Sequence, residues 1–140
     1  MSIAELERKG LVRRFEPSAD EIRALLQIAE RDVSVAKVLL GSDLDWAFNV
    51  AYNAMLQTAR AWMLKQKFRP VGESHHEVII DFARTTLGKG FEEVDVLDIM
   101  RKKRHRAVYG EIGVISKTEA ENALKSAESF LKKVSKKVSP

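Results

Sequence analysis

The chain of 140 residues contains no cysteine. This absence excludes disulfide bonds, zinc–thiolate sites and cysteine nucleophiles. Strand-type alternation is nearly absent, no apolar run is long enough to cross a membrane, and the first residues lack a signal-peptide pattern. There is also no glycine-rich phosphate loop, no pair of catalytic carboxylates and no nucleophile elbow. The sequence therefore predicts a cytoplasmic protein with no cofactor, no metal site and no membrane contact.

The composition that is present is typical of one folded domain. Hydrophobic residues make up 45% of the chain and charged residues 31%, which indicates a globular rather than a disordered protein. Lysine and arginine (24) outnumber aspartate and glutamate (20), and the sequence pI is about 9.4. A mild positive charge of this kind is compatible with partners that carry phosphate.

Helix signals are frequent along the chain. Three Ser-x-x-Glu capping boxes, which begin at Ser18, Ser74 and Ser116, mark helix starts. Apolar residues recur at three- and four-residue steps after each of them, as one buried face of a helix requires. The predicted helices span residues 18–40, 42–67, 74–87, 91–109 and 116–138.

Five helices with short connections predict an all-α fold, an up-and-down bundle of four to five helices. We assign residues 18–140 to the bundle. Residues 1–17 are predicted to form an N-terminal extension that holds a short helix up to Gly10. Pro17 is expected to separate this extension from the bundle.

The most informative stretch is the basic run from Arg101 to Arg106 on the fourth bundle helix. Successive residues of a helix turn by about 100°, so Arg104 falls in the middle of the side that also carries Leu97 and Met100. A buried guanidinium without a partner would cost several kcal/mol. Arg104 is therefore expected either to form an ion pair, for which the candidates are Asp32, Asp45 and Asp81, or to bind phosphate at an interface.

Arg101, His105 and Tyr109 follow one another at four-residue steps along the flank of the same helix. An imidazole beside guanidinium groups could remove the proton of a ribose 2′-hydroxyl while arginine holds the phosphate. The alternative is an ordinary surface or interface histidine. Lys102, Lys103 and Arg106 are expected to form a solvated face.

Other polar and aromatic residues have simpler interpretations. Tyr52, Asn53 and Gln57 are expected to form hydrogen bonds across the bundle. Trp46 and Trp62 are interpreted as fillers of the core or of an interface. His75 and His76 are adjacent on a helix and cannot face the same way, so we expect one to pack inward and the other to cap the helix or face water, and we predict no shared metal site.

Taken together, the order and spacing of several segments resemble the HEPN domain family over residues 18–138. The segments that carry the resemblance are residues 51–55 (Ala-Tyr-Asn-Ala-Met), 58–61, 68–76 (Phe-Arg-Pro-Val-Gly-Glu-Ser-His-His), 104–109 (Arg-His-Arg-Ala-Val-Tyr), 116–123 and 127–131. The resemblance implies a small helical bundle that commonly forms homodimers. It also implies a link to toxin–antitoxin or defence systems, in which some members pair with a minimal nucleotidyltransferase.

Active members of the family cleave RNA without metal, using an arginine and a histidine separated by four to six residues. This chain departs from that pattern. The residue that follows Arg104 after four intervening residues is Tyr109 rather than a histidine. Only three residues separate Arg101 from His105. The spacing Arg104-x-x-Ala107-x-Tyr109 is similar to a branch of the family that lacks the usual catalytic histidine.

We therefore predict a nucleotide-, RNA- or partner-binding module, dimeric through its basic helix, that uses Arg101, Arg104, His105 and Tyr109. The alternative is a metal-independent endoribonuclease in which Arg104 binds the phosphate and His105 is the base. A third hypothesis is a helical partner of a nucleotidyltransferase, whose acidic surface the basic run would contact.

Overall fold

A computed structural model describes residues 1–72, 75–110 and 112–139 of the chain, and the side chains of residues 105–109 lie outside this description. The described part forms an all-α fold with one small sheet, so the predicted fold class is confirmed. Its elements are α1 (Ile3–Arg8), β1 (Val12–Arg14), α2 (Ala19–Leu39), α3 (Leu44–Lys65), β2 (Phe68–Pro70), α4 (His75–Leu87), α5 (Glu93–Tyr109) and α6 (Lys117–Val138).

The helix starts follow the capping signals. Ser18 and Ser116 each form a complete capping box, with Glu21 and Glu119 respectively. The side chain of Asp43 accepts a hydrogen bond from the backbone amide of Trp46 and so caps α3, which begins after a connection of four residues from α2. The third predicted box, at Ser74, lies outside the described residues.

Helix α3 is the central element of the bundle, because α2, α4, α5 and α6 all pack against it. Its buried face is rich in small side chains, which allow the neighbouring helices to approach closely. They are Ala47, Ala51, Ala54, Thr58, Ala59 and Ala61. Larger buried side chains such as Phe82, Leu97 and Phe130 fill the spaces between the surrounding helices.

The N-terminal segment belongs to the same core as the helices. Leu6 of α1 is fully buried, and Val12 of β1 is 3% exposed. Strand β1 pairs antiparallel with β2, with Val12 opposite Pro70 and Arg14 opposite Phe68. Side chains of this segment therefore pack into the core of the bundle, while the division of the chain at Pro17 stays a prediction. Strands of three residues are too short to show an alternating pattern, which explains why the sequence did not reveal them.

Helix α3 ends two residues before the predicted limit. Lys67 adopts a positive φ of 69°, a left-handed conformation that stops the helix and turns the chain into β2. The two tryptophans also differ from each other. Trp62 is buried and its indole donates a hydrogen bond to Thr86, whereas Trp46 is 54% exposed and does not fill the core.

Candidate functional site

Arg104 lies half-buried on α5 and is oriented by two residues of α3. Its Nε donates a hydrogen bond to Oδ1 of Asn49 over 2.6 Å. Its guanidinium carbon lies 5.2 Å from the centre of the Tyr52 ring, a distance suited to a cation–π contact. Among the residues that the structure describes, an amide and a phenol ring therefore hold this guanidinium, rather than a carboxylate.

The three carboxylates proposed as partners of Arg104 bind elsewhere. Asp32 accepts hydrogen bonds from Arg31 and Asn53. Asp45 accepts them from the backbone amides of residues 113 and 115. Asp81 lies 3.4 Å from the guanidinium of Arg84. Among the described residues, none of these three carboxylates therefore forms the predicted ion pair with Arg104, which lies half-buried.

Tyr52 links Arg104 to a third helix. Its side chain is 1% exposed, and its hydroxyl lies 2.9 Å from Nδ1 of His76 at the start of α4. We call the four residues Asn49, Tyr52, His76 and Arg104 the Arg104 cluster. Helices α3, α4 and α5 each contribute to it, and no short segment of sequence contains all of its members.

Burial and charge together set the protonation of the cluster. Burial raises the pKa of Tyr52 to about 12, although the charges of Arg104 and Arg101 oppose the shift. Burial also lowers the pKa of His76, and the charges of Arg104 and Arg60 lower it further. Near neutral pH the phenol is therefore un-ionised and the imidazole is neutral.

The rest of the basic run is partly neutralised by neighbouring acids. Nε of Arg101 lies 3.3 Å from Asp98, a carboxylate that also lies within 4 Å of Arg84 and Lys102. Lys103 forms a salt bridge with Glu119 of α6 and is not simply solvated. Arg101 nevertheless remains close enough to influence the pKa of both Tyr52 and His76.

The structure thus brings two predicted site residues, Arg101 and Arg104, next to Tyr52 and His76. The side chains of His105, Arg106 and Tyr109 lie outside the described residues, so their roles stay predictions. The sequence pattern did not indicate Asn49 as a site residue, and it did not connect His76 with Arg104. Asn49 and Tyr52 are one turn apart on α3, but only the tertiary packing of α4 and α5 reveals their partners.

A half-buried polar row continues along α3 beyond the cluster. Asn53 donates a hydrogen bond to Asp32 of α2 over 2.7 Å, and Gln57 donates one to Asn53 over 3.2 Å. The prediction of hydrogen bonds across the bundle is confirmed for Tyr52 and Asn53, whereas Gln57 bonds within α3. Arg60 lies one turn further along the same side of the helix.

Among the residues that the structure describes, no three His, Asp or Glu side chains lie close enough to hold a metal ion together. No helix in the described part is both long and apolar enough to span a membrane.

The family model named HEPN domain matches residues 22–138, which is most of the chain. A search of curated proteins finds no match.

Proposed function

Because the chain belongs to the HEPN domain family, we propose that it is a binding module for RNA or nucleotide phosphate that acts through Arg104 and Arg101. The observation that carries this proposal is the fixed position of the Arg104 guanidinium between Asn49 and the Tyr52 ring. A guanidinium held in advance loses little conformational entropy when it binds a phosphate, and its planar fork matches the phosphate oxygens.

The neutral state of the partners supports this role. An un-ionised Tyr52 presents a ring to the cation without binding it as an anion would, so the guanidinium charge stays available for a ligand. His76 holds the phenol in place through Nδ1. We assign His105 and Tyr109, which follow on the same helix, to the same binding surface.

The proposal includes a homodimer, whose interface we place at exposed apolar residues of α3 and of the segment after α5 rather than on the basic helix itself. Trp46 and Ile112 are 54% and 99% exposed, and Asp45 binds the backbone amide of residue 113, which brings these two apolar residues to the same end of the bundle. Tryptophan is enriched among the residues that anchor protein interfaces, so an exposed tryptophan near an exposed isoleucine is a candidate contact for a second copy. Trp46 is one turn from Asn49, so a second copy seated here would bring two Arg104 clusters towards each other.

The second candidate is a metal-independent endoribonuclease, and the neutral imidazole in the cluster favours it. In this reaction Arg104 binds the phosphate, and His105 or His76 takes the proton of the 2′-hydroxyl. The 2′-oxygen then attacks the neighbouring phosphorus, and the 5′-oxygen leaves with a proton from the imidazolium. The products would be a 2′,3′-cyclic phosphate and a free 5′-hydroxyl.

One experiment separates these functions. A fluorescent single-stranded RNA is titrated with the protein at several salt concentrations in EDTA, and its length is checked on a gel. A binding module retains RNA with a steep salt dependence and leaves it intact. An endoribonuclease shortens it, and cleavage is lost in His105→Gln or in His76→Gln.

Arg101→Gln and Arg104→Lys are the variants for the binding arm. Glutamine removes the charge of Arg101, and lysine keeps the charge of Arg104 but cannot form the planar fork. Each variant should therefore bind RNA about tenfold more weakly. Unchanged RNA binding in both would refute the proposed site. A protein that neither binds nor cleaves RNA, yet co-purifies with a nucleotidyltransferase encoded beside it, would instead be a toxin–antitoxin or defence component that acts through its protein partner.

A further inference from the structure

A groove lies beside the Arg104 cluster, between α2, α3, β2 and the start of α4. Its volume is about 610 Å³, within the range of sites that hold small ligands. Leu25 and Ile28 of α2 form an apolar wall, and the opposite side carries Arg60, Arg69 and His75. One face of the groove therefore suits an aromatic ring, and the other suits an anion.

The cationic side of the groove is held in place by the fold. Arg69 lies in β2 opposite Arg13 of β1, and its guanidinium carbon is 5.3 Å from the ring centre of Phe15. The backbone amide of Phe15 donates a hydrogen bond to the carbonyl of Lys67 over 2.9 Å, which fixes the ring beside β2.

The carboxylate in the groove lining already has partners. Glu21 accepts a hydrogen bond from the amide of Ser18 and so belongs to the cap of α2. Among the lining residues that the structure describes, two guanidinium groups and one capping carboxylate give an excess of positive charge, which favours an anionic occupant.

The groove and the Arg104 cluster are connected along one side of α3. His75 lines the groove, while its neighbour His76 contacts Tyr52 in the cluster. Gln57 also lines the groove and donates a hydrogen bond to Asn53 in the polar row of α3. The polar residues of α3 recur at three- and four-residue steps from Asn49 to Arg60, so they form a row that leads from the cluster to the groove.

We propose that this groove binds a second nucleotide of the strand whose phosphate is held at the Arg104 cluster, which makes single-stranded RNA the ligand of the combined surface. The inference rests on the proposed function. A phosphate of this nucleotide lies at Arg60 and Arg69, and its base packs on Leu25, Ile28 and Phe15. Only a base that has left a duplex stack can reach such a pocket, so single strands bind in preference to duplexes.

The test measures the affinity of the full chain for a fluorescent ten-nucleotide single-stranded RNA. Arg60→Gln and Arg69→Gln should each weaken binding about tenfold and reduce the slope of log affinity against log salt by about 0.7. Arg23→Gln is the matched control, because Arg23 pairs with Asp20 on the exposed face of α2. It should change the affinity less than about twofold, and the same RNA as a duplex should bind at least about tenfold more weakly than the single strand.

The outcomes distinguish the two proposals. If Arg101→Gln weakens RNA binding while Arg60→Gln and Arg69→Gln behave like the control, the groove inference is overturned and the proposed function stands. If none of these variants affects binding, both fail. The inference would also be overturned if the protein bound duplex RNA as tightly as single-stranded RNA. It would be overturned as well if the groove variants dissociated a dimer without changing the affinity for RNA. Thermal unfolding of each variant verifies that a loss of binding does not reflect a loss of fold.

Discussion

The hydroxyl of Tyr52 is a single group whose contribution can be isolated. Tyr52→Phe removes the hydrogen bond to His76 and keeps the ring under Arg104, so we expect the free energy of unfolding to fall by about 1 kcal/mol. Tyr52→Leu also removes the ring and should reduce RNA binding more than Tyr52→Phe does. Urea denaturation and RNA titration measure the two effects. A Phe variant as stable as the wild type would mean that the hydrogen bond contributes nothing.

His76 should make stability depend on pH. Its pKa in the folded protein is lowered by burial and by nearby arginines, so the unfolded chain binds a proton more readily. The stabilisation is complete above the ordinary histidine pKa of about 6.5 and is lost as the pH falls through the lower folded pKa. Denaturation between pH 7.5 and 5 should show this loss in the wild type and a smaller one in His76→Gln. His75→Gln leaves the contact with Tyr52 intact, so this variant should show most of the wild-type loss of stability at low pH. If His76→Gln lost as much stability as the wild type, the assignment to His76 would be contradicted.

At the scale of elements, an ion pair with a buried carboxylate and a partly exposed lysine joins α5 to α6. Glu93 is 7% exposed, lies 2.8 Å from Nζ of Lys133 and accepts a hydrogen bond from Ser129. Burial raises the pKa of Glu93, but the hydrogen bonds from Lys133 and Ser129 outweigh it and hold the pKa below its usual range.

Removing the partner of this carboxylate should weaken the contact between the helices. Lys133→Met is expected to lower the free energy of unfolding by about 1 to 2 kcal/mol, a modest value because Lys133 is partly exposed. Lys132→Met, one residue away on the exposed face, is the matched control and should have little effect. Chemical denaturation at pH 7 provides the comparison, and equal stability of the two variants would refute a role for the pair.

The elements also show how far sequence reasoning extends. Capping serines and apolar periodicity located the helices to within about two residues, because both signals are local. The pairing of β1 with β2 joins residues 12–14 to residues 68–70, and neither segment is long enough to reveal a pattern. The Arg104 cluster was found only in part, because Arg104 stands out on its own helix whereas Asn49 and His76 acquire meaning through contacts with it.

For the whole molecule, the N-terminal segment should act as part of the core. Leu6 is fully buried, so Leu6→Ala is expected to cost about 2 to 4 kcal/mol of unfolding free energy through lost contacts and the cavity left behind. Lys9→Ala on the exposed side of the same segment should be nearly neutral. Thermal unfolding of the two variants tests this, and a Leu6 variant of normal stability would show that the segment is dispensable.

The proposed dimer is the property of the whole molecule that determines whether two Arg104 clusters act together. Trp46→Glu and Ile112→Glu each place a carboxylate in the exposed apolar patch and should raise the dimer dissociation constant at least about tenfold, since a buried unpaired charge opposes association. Val38→Glu, at an apolar position of α2 that is 75% exposed, is the matched control and should leave the dimer intact. Sedimentation velocity over a range of concentrations measures the change. Dimers that survive both substitutions would place the interface elsewhere, and monomeric variants that still bind RNA normally would show that one cluster suffices.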